Sequence, residues 1–156
     1  MRLAAAALAL LLAGPASAAG VVAVLALDFV DGSGETGDQA EAHARRLADL
    51  AGTLRAGLAA SGRVNVVTPD CGDCSPARTP FAEMAGAARG AGADLLLVGN
   101  VHKISTLIST LKLTMLDLPG DRQVCTRTLS FRGDDDEAWR RAAGFAVEDV
   151  LENCLG

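Results

Sequence analysis

The stretch Gly92-Ala93-Asp94-Leu95-Leu96-Leu97-Val98-Gly99-Asn100-Val101-His102-Lys103-Ile104 decides the fold. Its centre, Leu95 to Val98, is apolar at every position. A short, unbroken apolar run bounded by glycines reads as a strand buried on both faces. From Ser105 onward the period becomes two. Leu107, Leu111, Leu113 and Met115 share one face, with Ser109 interrupting. Ile104, Thr106, Ile108, Thr110, Lys112 and Thr114 share the other. The core strand therefore feeds a long antiparallel strand whose second face is wet.

Working outward, Pro119-Gly120 supplies a turn, with the glycine taking the positive φ. Gln123 to Phe131 returns as the hairpin partner, with Cys125, Leu129 and Phe131 inward and Arg127 an intruder among them. Asp134 and Glu137, three apart, predict a capping box. The helix that follows carries Trp139, Ala142, Ala143, Ala146, Val147 and Val150 on one stripe, which Cys154 continues. Upstream, Val21 to Phe29 reads as the first strand. Leu47, Leu50, Leu54 and Leu58 form one helical face ended by Ser61-Gly62, where glycine accepts a left-handed C′ position. Arg63 to Val67 is a short strand with Val64 and Val66 on one side. Thr79-Pro80 predicts an N-cap and a first helical residue, with Phe81, Met84, Ala85 and Ala88 inward. The order is βαβαβββα: an α/β chain with a mixed sheet and helices packed on it.

The chain has 156 residues, enough for one domain with a sizeable core. Aromatics make up 3%, so small aliphatic side chains fill that core around Trp139. The formal net charge of -5 and the scarcity of aromatics exclude a stacking, basic platform for nucleic acid and a surface for anionic lipid. Residues 1–18 read as a signal peptide: Arg2, an apolar Leu3 to Ala13, the Gly14-Pro15 break, then Ala16-Ser17-Ala18 as the cleavage signal. Residues 19–156 are then one exported, periplasmic domain. Loss of Arg2 takes the charge from -5 to -6, and no membrane span is expected in the mature chain.

Export makes the four cysteines a disulfide question. Cys125 on an inward strand face and Cys154 on an inward helix stripe point at each other if that helix packs on that strand. This bridge closes about 30 residues and stabilises by roughly 3–4 kcal/mol in the loop-entropy model. Cys71 and Cys74 are left for each other, as a structural bridge or as a C-x-x-C redox site. Redox chemistry wants a helix N-terminus behind the first cysteine, whereas Ser75 to Arg78 intervene and Asp73 disfavours a thiolate. A zinc site built from this pair with His43 and His102 has weak spacing support. His43 reads as a helix-surface residue and His102 as a strand residue just past the core.

The loop Asp31 to Asp38 has an acid-glycine composition but places Thr36 and Ala42 where a calcium loop needs glycine and glutamate. No G-x-S-x-G appears, and Gly32-Ser33-Gly34 and Gly90-Ala91-Gly92 do not match a phosphate-binding fingerprint. These absences lead to an expectation of no catalytic residues, no metal ligands and no cofactor.

Val24 to Phe29, Gly62 to Val67, Gly92 to Lys103, Phe131-Arg132-Gly133 and Trp139-Arg140-Arg141 together resemble a family of small exported proteobacterial proteins, a domain of unknown function. More distantly the layout resembles the TolB amino-terminal domain and the CsgG and LpoB folds, which share an anticodon-binding-domain-like architecture. The resemblance implies a non-catalytic periplasmic accessory or interaction module whose partner is another periplasmic or envelope protein. Lys112, Thr114, His102 and Lys103 are the candidate interaction face. The alternative is a thiol-disulfide redox or metal-handling protein using Cys71 and Cys74.

Overall fold

The structure, a computed structural model, describes residues 20–156; the expected signal peptide and its cleavage point lie outside the described residues. The elements are β1 (Gly20–Val24), β2 (Asp28–Asp31), α1 (Ala40–Ala60), β3 (Val64–Val67), α2 (Phe81–Gly90), β4 (Leu95–Lys103), β5 (Ile108–Asp117), β6 (Arg122–Arg132) and α3 (Asp136–Asn153). The sheet runs β3-β1-β4-β5-β6, with β2 also paired to β4. The β1, β2 and β3 pairings are parallel and the last two are antiparallel, so the sheet is mixed.

β4 is central, as its apolar run predicts. Leu97 and Val101 face a core shared with Leu50, Leu54 and Leu58 of α1 and Trp139, Ala143, Ala146 and Val150 of α3. Leu96 and Val98 face the other way, onto Met84, Ala85 and Ala88 of α2. Two helices thus cover one face and one short helix covers part of the other. At Gly99 a side chain would meet the Lys112 carbonyl and come within 2.7 Å of Leu113 Cδ2. Glycine is what lets β5 lie this close.

The expected first strand is two strands. Val24 pairs with Leu97 and Asp28 with Asn100, so four steps on one strand match three on the other. The extra residue is a bulge, and it reverses which side chains face inward. Phe29 consequently joins the α1/α3 core and Asp28 turns to the other side. The Val24 carbonyl at the break accepts from Arg55 of α1 at 3.1 and 3.2 Å.

Other boundaries shift for identifiable reasons. Residues 104–107 form a turn, closed by Ile104 N–H donating to the Ile108 carbonyl at 2.9 Å, so Leu107 projects 59% exposed and does not continue the inward row. In the β5–β6 turn, Asp121 and not Gly120 takes the positive φ, at 47°. Pro80 stands at the N-cap of α2, one residue later than expected, and Phe81 is 45% exposed. α3 is capped by Asp135, whose carboxylate accepts from Ala138 N–H at 2.7 Å, so Asp134 is not the cap. Cys125 and Cys154 are bonded with Cα atoms 5.5 Å apart, joining α3 to β6. Arg63 donates to the Leu151 and Leu155 carbonyls at 2.7 and 2.6 Å, serving the end of α3 where that helix has no basic residue of its own.

Candidate functional site

Three elements end together at one tip of the sheet. β4 delivers Lys103, in phase with Leu97 and Val101, under the first turns of α1 and α3. α1 supplies His43 and Arg46. The chain leaving β6 turns at Gly133 and places Asp134 inward, immediately before α3. Lys103 is 0% exposed and is the largest fully buried side chain among the described residues.

Asp134 is the hub. Its Oδ2 accepts from Lys103 Nζ at 2.6 Å and His43 Nε2 at 2.8 Å. Its Oδ1 accepts from Arg46 Nη1 and Trp139 Nε1, each at 3.1 Å. Because the carboxylate can only accept, His43 carries its proton on Nε2. The imidazole also stacks on Phe29, centroids 4.4 Å apart. Lys103 Nζ additionally donates to Glu35 and, at 3.0 Å, to Gln39 Oε1. An ammonium has three N–H donors, and all three have acceptors.

Burial pushes the Asp134 carboxyl up, but hydrogen bonds from Lys103, His43 and Trp139 outweigh it and bring it down to about 2. Burial likewise works against the Lys103 ammonium, and hydrogen bonds to Asp134 and Glu35 together with their charges hold it above its ordinary value. Lys103 is thus locked as a cation and Asp134 as an anion. General acid–base work and amine nucleophiles favour a group whose own pKa lies nearer the working pH. A surface depression of about 510 Å³ lies above, lined among others by Glu35, Gln39, Thr106, Leu107 and Asp135. The charges beneath it are already matched to one another.

The sequence expectations divide at this point. Lys103 does not share an exposed face with Lys112, Thr114 and His102. Adjacent strand residues point to opposite faces, and Lys103 takes the covered one. His43 is not on the helix surface; it is 3% exposed, held by Asp134 and Phe29. Lys112 and Thr114 do lie on the uncovered face with His102, since Thr114 pairs with Val98, Lys112 with Asn100 and His102 with Thr110. β6 extends this face with Thr126, Thr128 and Ser130, and the Thr114 and Thr126 hydroxyls are 3.1 Å apart. Beyond the reach of α2, this half of the sheet is open and mostly polar, with Val30 51% exposed beside His102.

The intruding Arg127 is matched by Asp149 of α3 through two bonds of 2.6 and 2.8 Å. These bonds hold the Asp149 carboxyl below its ordinary value despite burial. Cys71 and Cys74 are bonded, with Cα atoms 5.6 Å apart, and Cys74 is 4% exposed. Their loop is fastened to the bulge. Ser75 Oγ donates to Asp28 Oδ1 at 2.5 Å and Ala77 N–H to Oδ2 at 2.8 Å. No cluster of three or more histidine, cysteine or acidic side chains suited to a metal occurs among the described residues.

Sequence reasoning missed Glu35, Gln39, Arg46 and Asp134. Two signals were available. Only one residue of Asp134-Asp135-Asp136 can cap the helix, and Lys103 falls on the inward parity of β4, where a lone charge needs an opposite one.

An α/β module with a half-covered mixed sheet and a self-neutralised ion cluster is the class of protein these features define. The chain belongs to the DUF3280 family, described as protein of unknown function (DUF2380), whose model matches residues 20–151. No curated protein matches it in sequence. Among solved structures it is similar in fold to PelC from Paraburkholderia phytofirmans, a dodecamer. The TM-score there is 0.58 at 17% identity, over 90% of this chain and 92% of that one. It is similar to TolB from Acinetobacter baumannii with a TM-score of 0.54 and 13% identity, over 86% of this chain but 28% of that one. E. coli LpoB aligns with a TM-score of 0.51 and 16% identity, over 76% of this chain and 59% of that one. At these identities the likeness is one of fold.

Proposed function

We propose that this protein is an exported, non-catalytic accessory domain of the cell envelope that works by binding another protein through the open half of its sheet. The observation that carries the reading is the state of its ionisable groups. The densest cluster is saturated, with Lys103 held charged and the Asp134 carboxyl brought down to about 2. What remains uncovered is a polar sheet surface bearing Lys112, Thr114 and His102. Two disulfides in so small a chain suit an oxidising compartment, and residues 1–18 have the composition of a cleaved signal. The exported protein should therefore begin at Ala19 and carry two disulfides by intact mass.

The binding test is recovery of partners from a periplasmic extract with Lys112→Glu and Thr114→Glu beside the wild type. Loss of the recovered partner supports the reading; undiminished recovery removes the hairpin face from it. The competing thiol-redox reading needs an accessible, easily reduced bridge. Cys74 is buried and the next helix along the chain, α2, begins only at Phe81, so the Cys71–Cys74 bridge should resist a glutathione buffer. Ready reduction at that poise would reinstate the redox reading.

A further inference from the structure

Among the described residues the sheet ends at β6, and no strand pairs with the outer edge of that strand. β6 runs eleven residues, from Arg122 to Arg132, and among the described residues pairs only with β5. Alternate residues of a strand send their backbone N–H and C=O to the far side, so roughly half of β6 offers unpaired groups outward. Edges this long are ordinarily blunted by proline, bulges or charge, or covered by another element; β6 has one bulge, at Val124, and one inward charge, Arg127, which leaves the stretch from Thr128 to Arg132 regular. β6 contains no proline, and α3 packs over its face, not its edge. Beside the edge lies a cleft of about 320 Å³ whose apolar wall includes Leu129, Phe131, Ala142 and Phe145. Phe145 is 59% exposed on a helix whose indole anchor, Trp139, is 2% exposed. The charges lining the cleft are Arg132 and Arg141. Glu137 serves Arg141 and Arg140 together, leaving positive charge in excess there.

We propose that the β6 edge is a strand-addition site for an extended acidic segment of a partner protein. The added strand continues the ladder, seats an apolar side chain against Phe145 and brings a carboxylate to Arg132 and Arg141. This rests on the interaction-domain reading and adds to the open face a second contact along the rim of the sheet, on its α3 side. Charge selects the occupant. Arg127 is the middle residue of β6, and the bulge at Val124 puts Arg122 and Arg132 on opposite faces, so antiparallel pairing with a second β6 centred on Arg127 would set that arginine opposite its own copy. Like charges directly opposite destabilise such a pair.

The test uses two synthetic ten-residue peptides, valine alternating with glutamate in one and with lysine in the other, added to the full mature protein. Amide exchange and chemical shifts are read by NMR. The glutamate peptide should protect outward-facing amides between Val124 and Arg132 and bind about tenfold tighter than the lysine peptide. Phe145→Ala and Arg132→Glu should each weaken it severalfold at an unchanged melting temperature. Equal binding of both peptides, or protection confined to other strands, overturns the proposal. So does β6 protection that grows with protein concentration in the absence of peptide, which would name a second copy as the occupant. The same envelope partner recovered undiminished by Arg132→Glu sinks the edge and leaves the interaction reading standing. Wild type that recovers no partner sinks the interaction reading instead.

Discussion

The two faces of the sheet differ in kind. One is closed by α1 and α3, apolar along its length and locked at the tip by Lys103 and Asp134. The other is packed beneath α2 and then becomes a surface of threonine, serine, lysine and histidine with the exposed Val30 among them. On the first face, no buried side-chain polar atom among the described residues lacks a partner. The second has few internal obligations. Stability and function are thereby separated across a single sheet, and substitutions should sort by face.

The largest effect should come from breaking the lock. Lys103→Ala leaves Asp134 and Glu35 without their common cation, and chemical denaturation should show a loss of roughly 3–5 kcal/mol. A loss below about 1 kcal/mol would mean that the cluster is incidental. Next, the two disulfides should differ. In the loop-entropy model Cys154→Ala costs about 3.5 kcal/mol, because its bridge closes a long loop, and Cys74→Ala about 2 kcal/mol. Equal losses would show that local packing, not loop length, governs both.

Acid should act on the closed face. A carboxyl lowered in the folded state stabilises above its unfolded value and loses that contribution as the pH falls through the folded one. For Asp134, brought down from an ordinary 3.8 to about 2, the window runs from about pH 4 to about pH 2. Its contribution there is about 2 kcal/mol. Asp149, also lowered, adds in the same direction. Lys103 is raised, so its contribution holds at lower pH and is lost only in strong alkali. Urea midpoints at pH 7, 4 and 2.5 should fall mainly between the last two. The smallest stability effect belongs to the open face: Lys112→Glu should move stability by no more than about 0.5 kcal/mol while changing partner recovery. A large destabilisation would mean that this face is structural too.

Much of this was legible from residues. Leu95 to Val98 announced a strand buried on both sides, and the α1 leucines and the α3 stripe announced helices that cover one of them. Thr110, Lys112 and Thr114 marked the wet face by parity alone. What escaped was every feature that depends on two distant segments meeting. The Val24–Asp28 bulge is invisible in an apolar run, because each residue of Leu25-Ala26-Leu27 suits either face; the pairing to β4 decides. Asp134 looked like a cap because local rules treat any aspartate before a helix alike. His43 looked exposed because a polar residue on an early helical turn usually is.

The sequence by itself determined the order of elements, the position of the central strand and the chemistry of each strand face, because periodicity is a local property that burial imposes on neighbouring residues. Tertiary structure alone decided which charges go inside. A buried ion is tolerated only where its counter-ion arrives, and Lys103 and Asp134 are brought together by the ends of β4 and β6 and the starts of α1 and α3, which no window of sequence contains.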